Sequence, residues 1–149
     1  MVNRLRNRSK PIPQSFISAN KIKPEVWRIS EPVIIQTLKN QGFDIKKLKK
    51  IKYLRHQVCI SYWNEKGGIC SGFFSYRIFE RWQHVVERLV YNCNSLYEIH
   101  RLNQAIAYEF TNYPYPVEIE AAINETIEGC TTQLTELASY KRNQYLVAS

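Results

Sequence analysis

Apolar residues recur along this chain with two different periods, and the places where the period changes divide it into elements. Ile78, Phe79, Trp82, Val85, Val86, Leu89 and Val90 follow the three-and-four spacing of a wide helix face, predicting a helix over about 76–92. Ser95-Leu96-Tyr97-Glu98 is a capping box, and it opens a helix over 95–111 through Leu96, Ile99, Leu102, Ile106 and Phe110. Tyr113-Pro114-Tyr115-Pro116 excludes helix, because each proline pushes its predecessor to extended backbone. Pro116 then starts a last helix over 116–140, carried by Ile119, Ile123, Ile127, Cys130, Leu134 and Leu137.

Between 57 and 74 the period falls to two. Val58, Ile60 and Tyr62 alternate with Cys59, Ser61 and Trp63, Asn64-Glu65-Lys66-Gly67-Gly68 supplies a turn, and Ile69 to Phe74 returns: a β-hairpin. A loop over 64–67 places Val58, Ile60, Tyr62, Ile69 and Phe73 on its core face, with Cys59, Ser61, Trp63, Cys70 and Gly72 on the other. Upstream, Ser30 and Pro32 start a helix over 31–41 that Gly42 stops. Asp44 then caps Ile45-Lys46-Lys47-Leu48-Lys49-Lys50-Ile51-Lys52, whose apolar residues recur every three positions, predicting a lysine-rich helix over 44–54. Residues 1–24 have no apolar period and carry Pro11, Pro13 and Pro24, the pattern of a flexible basic arm. The expectation is therefore an α+β fold: one mostly helical domain over 25–149 with one antiparallel hairpin, preceded by the arm.

Composition supports folding, because 44% hydrophobic and 13% aromatic residues in 149 can build a core that offsets ordering entropy. Charge changes the picture more. The chain carries +8 overall, but residues 1–57 hold 14 Lys and Arg against 3 acids, a net of +11, while the remainder is acidic. A localised positive surface is the footprint of a protein that neutralises phosphates. The candidate contacts are Arg4, Arg6, Arg8 and Lys10 in the arm and Lys46, Lys47, Lys49, Lys50 and Lys52 in the lysine segment, with Arg55 beside them. A helix, a glycine turn, a basic helix and a hairpin is also part of the winged-helix order. Trp63, with Tyr62, Phe74 and Lys66 close by, is a candidate for stacking on unpaired bases.

A second class of function rests on other residues. Arg77, Arg81, His84 and Arg88 form a cationic stripe on the predicted 76–92 helix, and Ile123, Ile127, Leu134 and Leu137 form a near-heptad seam on the last helix. Either surface suits an adaptor or assembly subunit that binds an acidic protein or a second copy of itself.

Enzymatic classes lack their motifs. No nucleophile turn or phosphate-cradling glycine loop is present, and Asp44 is the sole aspartate, so catalysis and cofactors are not expected. Cys59, Cys70, Cys93 and Cys130 include no C-x-x-C pair, and His56, Cys59 and Cys70 make an incomplete zinc set, so no metal is assigned. Reduced thiols, no secretory h-region and no apolar run long enough for a bilayer point to a cytoplasmic protein without membrane contact. The leading expectation is a small basic non-catalytic protein that binds DNA or RNA through its arm and lysine segment.

Overall fold

Capping chemistry sets several helix boundaries in the computed structural model, which describes residues 14–148. Helix α1 (Glu31–Asn40) has a proline in its first turn. After the sheet come α2 (Glu80–Tyr91), α3 (Leu96–Asn112) and α4 (Val117–Ala148). At the start of α3 the Ser95 hydroxyl accepts the Glu98 N–H at 3.1 Å, and the Glu98 carboxylate accepts the Asn94 N–H at 2.6 Å. The architecture is α+β, but α4 runs eight residues past the predicted end at 140.

The lysine-rich segment is a strand, not the helix predicted over 44–54. It forms β1 (Lys47–Tyr53), which pairs antiparallel with β2 (Gln57–Trp63), which in turn pairs with β3 (Ile69–Ser75), so the hairpin is part of a three-stranded sheet in the order β1-β2-β3. The misleading period of three comes from a β-bulge. Lys47 and Leu48 face Trp63 and Tyr62, the register then shifts, and Lys50 and Ile51 face Ser61 and Ile60, so Leu48 and Ile51 share a face although three apart. Lysine is a good helix former, but the ladder with β2 overrides that preference.

The face assignment for β3 is also corrected. The β2–β3 connection is five residues, with the Asn64 N–H donating to the Gly68 carbonyl and the Asn64 side-chain oxygen accepting from Lys66 and Gly68 N–H groups at 3.0 and 2.8 Å. Gly67 takes φ +83°, which only glycine adopts without strain. One extra loop residue reverses the side-chain alternation of β3. Cys70, Gly72 and Phe74 therefore share the inner face with Tyr62, Ile60 and Val58, while Ile69, Ser71 and Phe73 face outward.

Residues 14–24, predicted as part of the arm, belong instead to the folded domain. Phe16, Ile17 and Ile22 are buried in the same core as Ile34, Leu38, Ile60, Trp82, Val86, Ile106 and Ile123. Arg4, Arg6, Arg8 and Lys10 lie outside the described residues.

The helix predicted over 76–92 is split. Tyr76–Ile78 is a 3-10 turn, Phe79 is extended, and α2 starts at Glu80. Tyr76, Arg77 and Phe79 are all buried, whereas a continuous α-helix would turn Arg77 to the side opposite Trp82 and Val86. The Ser75 hydroxyl accepts the Arg77 N–H at 3.2 Å and fixes the turn.

This turn delivers Arg77 into the interior. Its guanidinium donates to both oxygens of Glu109 on α3, from Nε at 2.6 Å and Nη2 at 2.9 Å. The same carboxylate accepts the Phe16 N–H at 3.1 Å and the Tyr115 hydroxyl at 2.5 Å, and Tyr115 accepts the Trp82 indole N–H at 2.9 Å. Arg77 also lies over Tyr113, 3.7 Å from the ring centroid, and beside Trp82 at 4.7 Å. One buried pair thus joins the N-terminal segment, the 3-10 turn, α2, α3 and the α3–α4 connection.

Two measurements test this reading. Removing one member of a fully buried pair strands the other charge, so Glu109→Gln is expected to lower unfolding free energy by about 3–5 kcal/mol in urea denaturation, with Arg77→Met/Glu109→Leu recovering part of the loss. The second is alkaline stability. Burial, with Glu25 and Tyr53 nearby, raises the Tyr76 hydroxyl from 10.0 to about 12, and burial beside Glu109 raises Tyr115 as well. Folded Tyr76 holds its proton more tightly than the unfolded chain does, so its contribution is complete below pH 10.0 and is lost as pH rises through about 12. Thermal melts should show that fall, and Tyr76→Phe, though less stable throughout because the hydroxyl donates to the Leu54 carbonyl at 2.6 Å, should flatten it.

Candidate nucleic-acid interface

The register of the sheet sorts the outward side chains that cross all three strands into three rows. Cross-strand partners point to the same side, so Lys47, Trp63 and Ile69 form one row, Lys50, Ser61 and Ser71 the next, and Lys52, Cys59 and Phe73 the third. Each row begins with a lysine on β1. The last residue is apolar in the two outer rows, while Ser61 and Ser71 join hydroxyls at 2.9 Å in the middle. Ile69 and Phe73 are 52% and 64% exposed, and Trp63 is half-buried.

The bulge adds a fourth lysine to this face. Lys49 places its ammonium 5.6 Å from the Trp63 ring centroid, a cation–π contact. No position of the three rows is Asp or Glu, and among the described residues the ion pairs are Arg77–Glu109 and His84–Glu80, neither of which involves β1. The β1 lysines therefore present uncompensated charge. Lys46 is exposed just before β1 and donates its backbone N–H to the Trp63 carbonyl at 2.8 Å. Arg55, exposed in the β1–β2 turn, lies 3.5 Å from the Asn20 side-chain oxygen.

The expected grouping of basic residues thus partly holds, on a different element. Lys47, Lys49, Lys50 and Lys52 come together with Trp63, but on a sheet face. With the basic helix gone, the winged-helix order goes too. Ile69 and Phe73 were missed, because a loop one residue too short assigned them to the core.

The second set of candidate residues is dispersed. Arg77 is 3% exposed, and the pair with Glu109 removes it from any surface stripe. Arg81 and Arg88 remain exposed, with the Arg81 guanidinium 5.1 Å from the Trp27 ring centroid. Ile123 and Ile127 are buried where α4 packs on α2 and α3, so they hold the fold together and are not open to a partner. Leu134 is half-buried and Leu137 exposed. His56, Cys59 and Cys70 do not converge, since Cys59 lies on the outer face and Cys70 on the inner one, where its sulfur accepts from Asn64 at 3.6 Å.

No group of three metal-ligating side chains occurs among the described residues, and no described helix is long and apolar enough to cross a membrane. Neither a protein-family model, nor a curated protein, nor a solved structure matches this chain. Its functional reading therefore rests on its own geometry.

The adjacent phenylalanines of β3 test that geometry. Phe74→Ala, emptying a site on the inner face where the ring meets Phe43 edge-on at 5.0 Å, is expected to cost about 3–5 kcal/mol. Phe73→Ala, on the outer face, should stay within about 0.5 kcal/mol. Urea midpoints of the two variants check the register, and equal losses would refute it.

Proposed function

We propose that this protein binds single-stranded DNA or RNA, without catalysis, on the outer face of its three-stranded sheet. The observation that carries the reading is the row pattern itself: lysines along one margin, Trp63 and Phe73 standing out from the same face, and no carboxylate among them. Phosphates would follow Lys47, Lys49, Lys50 and Lys52, and unpaired bases would stack on Trp63 and Phe73. Ser61 and Ser71 offer hydroxyls between the two aromatic positions.

The aromatics favour a single strand over a duplex. Bases inside a duplex are already stacked and show only their edges, so exposed rings gain little there, whereas each base stacked on an aromatic contributes about 1–3 kcal/mol. Arg4, Arg6, Arg8 and Lys10 would add phosphate neutralisation from the N-terminal segment.

Intrinsic fluorescence supplies a direct test. Trp27 and Trp82 are 5% and 0% exposed, leaving Trp63 as the tryptophan open to a ligand. Titration with unstructured oligo-dT and oligo-U should quench Trp63, with affinity falling steeply in salt. Each lysine reversed among Lys47, Lys50 and Lys52 should flatten the log–log salt slope by about 0.7. Trp63→Phe should abolish the quench and Trp63→Ala should weaken binding. Absence of binding to either oligomer at low salt overturns the proposal. The adaptor reading would then remain, through Arg81, Arg88 and the exposed end of α4.

A further inference from the structure

The proposed ligand accounts for the lysines on the β1 margin of the sheet but not for the bare margin of β3. The β1 margin carries Lys47, Lys49, Lys50 and Lys52 and a β-bulge, which are devices that prevent strand pairing. The β3 margin, Ile69-Cys70-Ser71-Gly72-Phe73-Phe74-Ser75, carries no charge, no proline and no bulge. It is seven residues long, and among the described residues no strand pairs with its far side.

Backbone polarity along β3 follows from the loop. The Asn64 N–H donates to the Gly68 carbonyl at 2.9 Å, so this is a hydrogen-bonded pair, and alternate pairs down an antiparallel ladder repeat it. Cys70, Gly72 and Phe74 therefore direct their backbone groups to β2. On the other side of β2, the Gln57 and Trp63 carbonyls accept from Leu54 and Lys46, as the same alternation requires. Ile69, Ser71 and Phe73 are left with N–H and C=O groups directed at the open margin, and their side chains point to the outer face.

We infer that this margin is a self-association surface on which β3 pairs antiparallel with β3 of a second copy of this chain. A two-fold axis through Ser71 sets Ser71 opposite Ser71 of the second copy and Ile69 opposite Phe73 of the second copy, twice over. All these positions have outward backbone groups, so the ladder is complete, and each exposed apolar side chain gains an apolar cross-strand neighbour. Charge selects the occupant. Two uncharged margins meet without repulsion, whereas joining two β1 margins would oppose two lysine columns. A head-to-tail β3–β1 contact would meet the bulge and would not close. The product is one continuous sheet with a lysine column along each outer margin. The pairing stands on the margin alone and does not require the outer face to bind nucleic acid.

The test is made without nucleic acid. Sedimentation of the full chain over a wide concentration range should show a monomer–dimer equilibrium. Amide exchange at Ile69, Ser71 and Phe73 should slow as protein concentration rises, while Cys70, Gly72 and Phe74 stay protected throughout. Ser71→Lys, which places like charges on the two-fold axis, and Phe73→Lys should each weaken association by about tenfold or more. Lys50→Glu on the opposite margin should leave it unchanged, and circular dichroism of all three variants should match the parent. A chain that stays monomeric at every concentration, or a dimer that survives both β3 substitutions, overturns the inference. So does concentration-independent exchange at Ser71.

Discussion

Arg77 and Glu109 are two full charges placed where little water reaches them, with side chains 4% and 0% exposed. Moving both out of water carries a large desolvation cost, and such a pair persists when nearly every lone pair and donor finds a partner. Glu109 answers to Arg77 twice, to the Phe16 backbone and to Tyr115, while two aromatic rings flank the guanidinium. The arrangement requires the 3-10 turn at Tyr76–Ile78, because a regular helix would carry Arg77 away from Tyr76 and Phe79. That turn in turn fixes how β3 passes into α2. The turn that carries the chain from the sheet into the helices is thus held by one ion pair.

With the inner face of the sheet committed to that core, its outer face is left to chemistry of another kind. The inner rows hold Leu48, Ile51, Tyr62, Ile60, Val58 and Phe74, and the outer rows hold lysines, hydroxyls and exposed rings. Cys70 and Cys59 fall on opposite sides for the same reason. One residue of slip in either connection would exchange these sets. The loop at Asn64–Gly68 and the bulge at Lys49 are therefore the local features that decide which side chains a ligand or a second copy can reach.

Much of the fold was legible in the sequence, and the failures share a cause. α3 and the start of α4 were readable because Ser95, Glu98 and Pro116 act within a few residues of themselves. β2 was readable from strict alternation. β1 was not, because a bulge turns a period of two into an apparent three, and only the partner strand distinguishes that from a short helix. The outward position of Phe73 depended on the length of a loop, where Gly67 and Gly68 offered two endings. Arg77 gave no local signal, since its partner lies 32 residues away and its spacing to Arg81 fits a surface stripe. Lys47, Lys50, Lys52 and Trp63 were legible as residue types, but their placement on one face was not.

A plainer role for the β1 lysines is protection of an exposed strand edge. The bulge already disrupts that edge, and protection works with either sign of charge, so alternating Lys and Glu would serve as well and would avoid repulsion. Neighbouring lysines on one face of a strand sit about 7 Å apart and repel by about 0.6 kcal/mol in water before salt screening. The chain accepts that repulsion along β1 and has no acid on the outer rows to relieve it. Its glutamates lie elsewhere, Glu118, Glu120, Glu125 and Glu128 among them on α4. A single-sign column beside exposed rings carries a cost in the free protein that edge protection does not require. Binding a polyanion offsets that cost, because the phosphates replace repulsion with attraction.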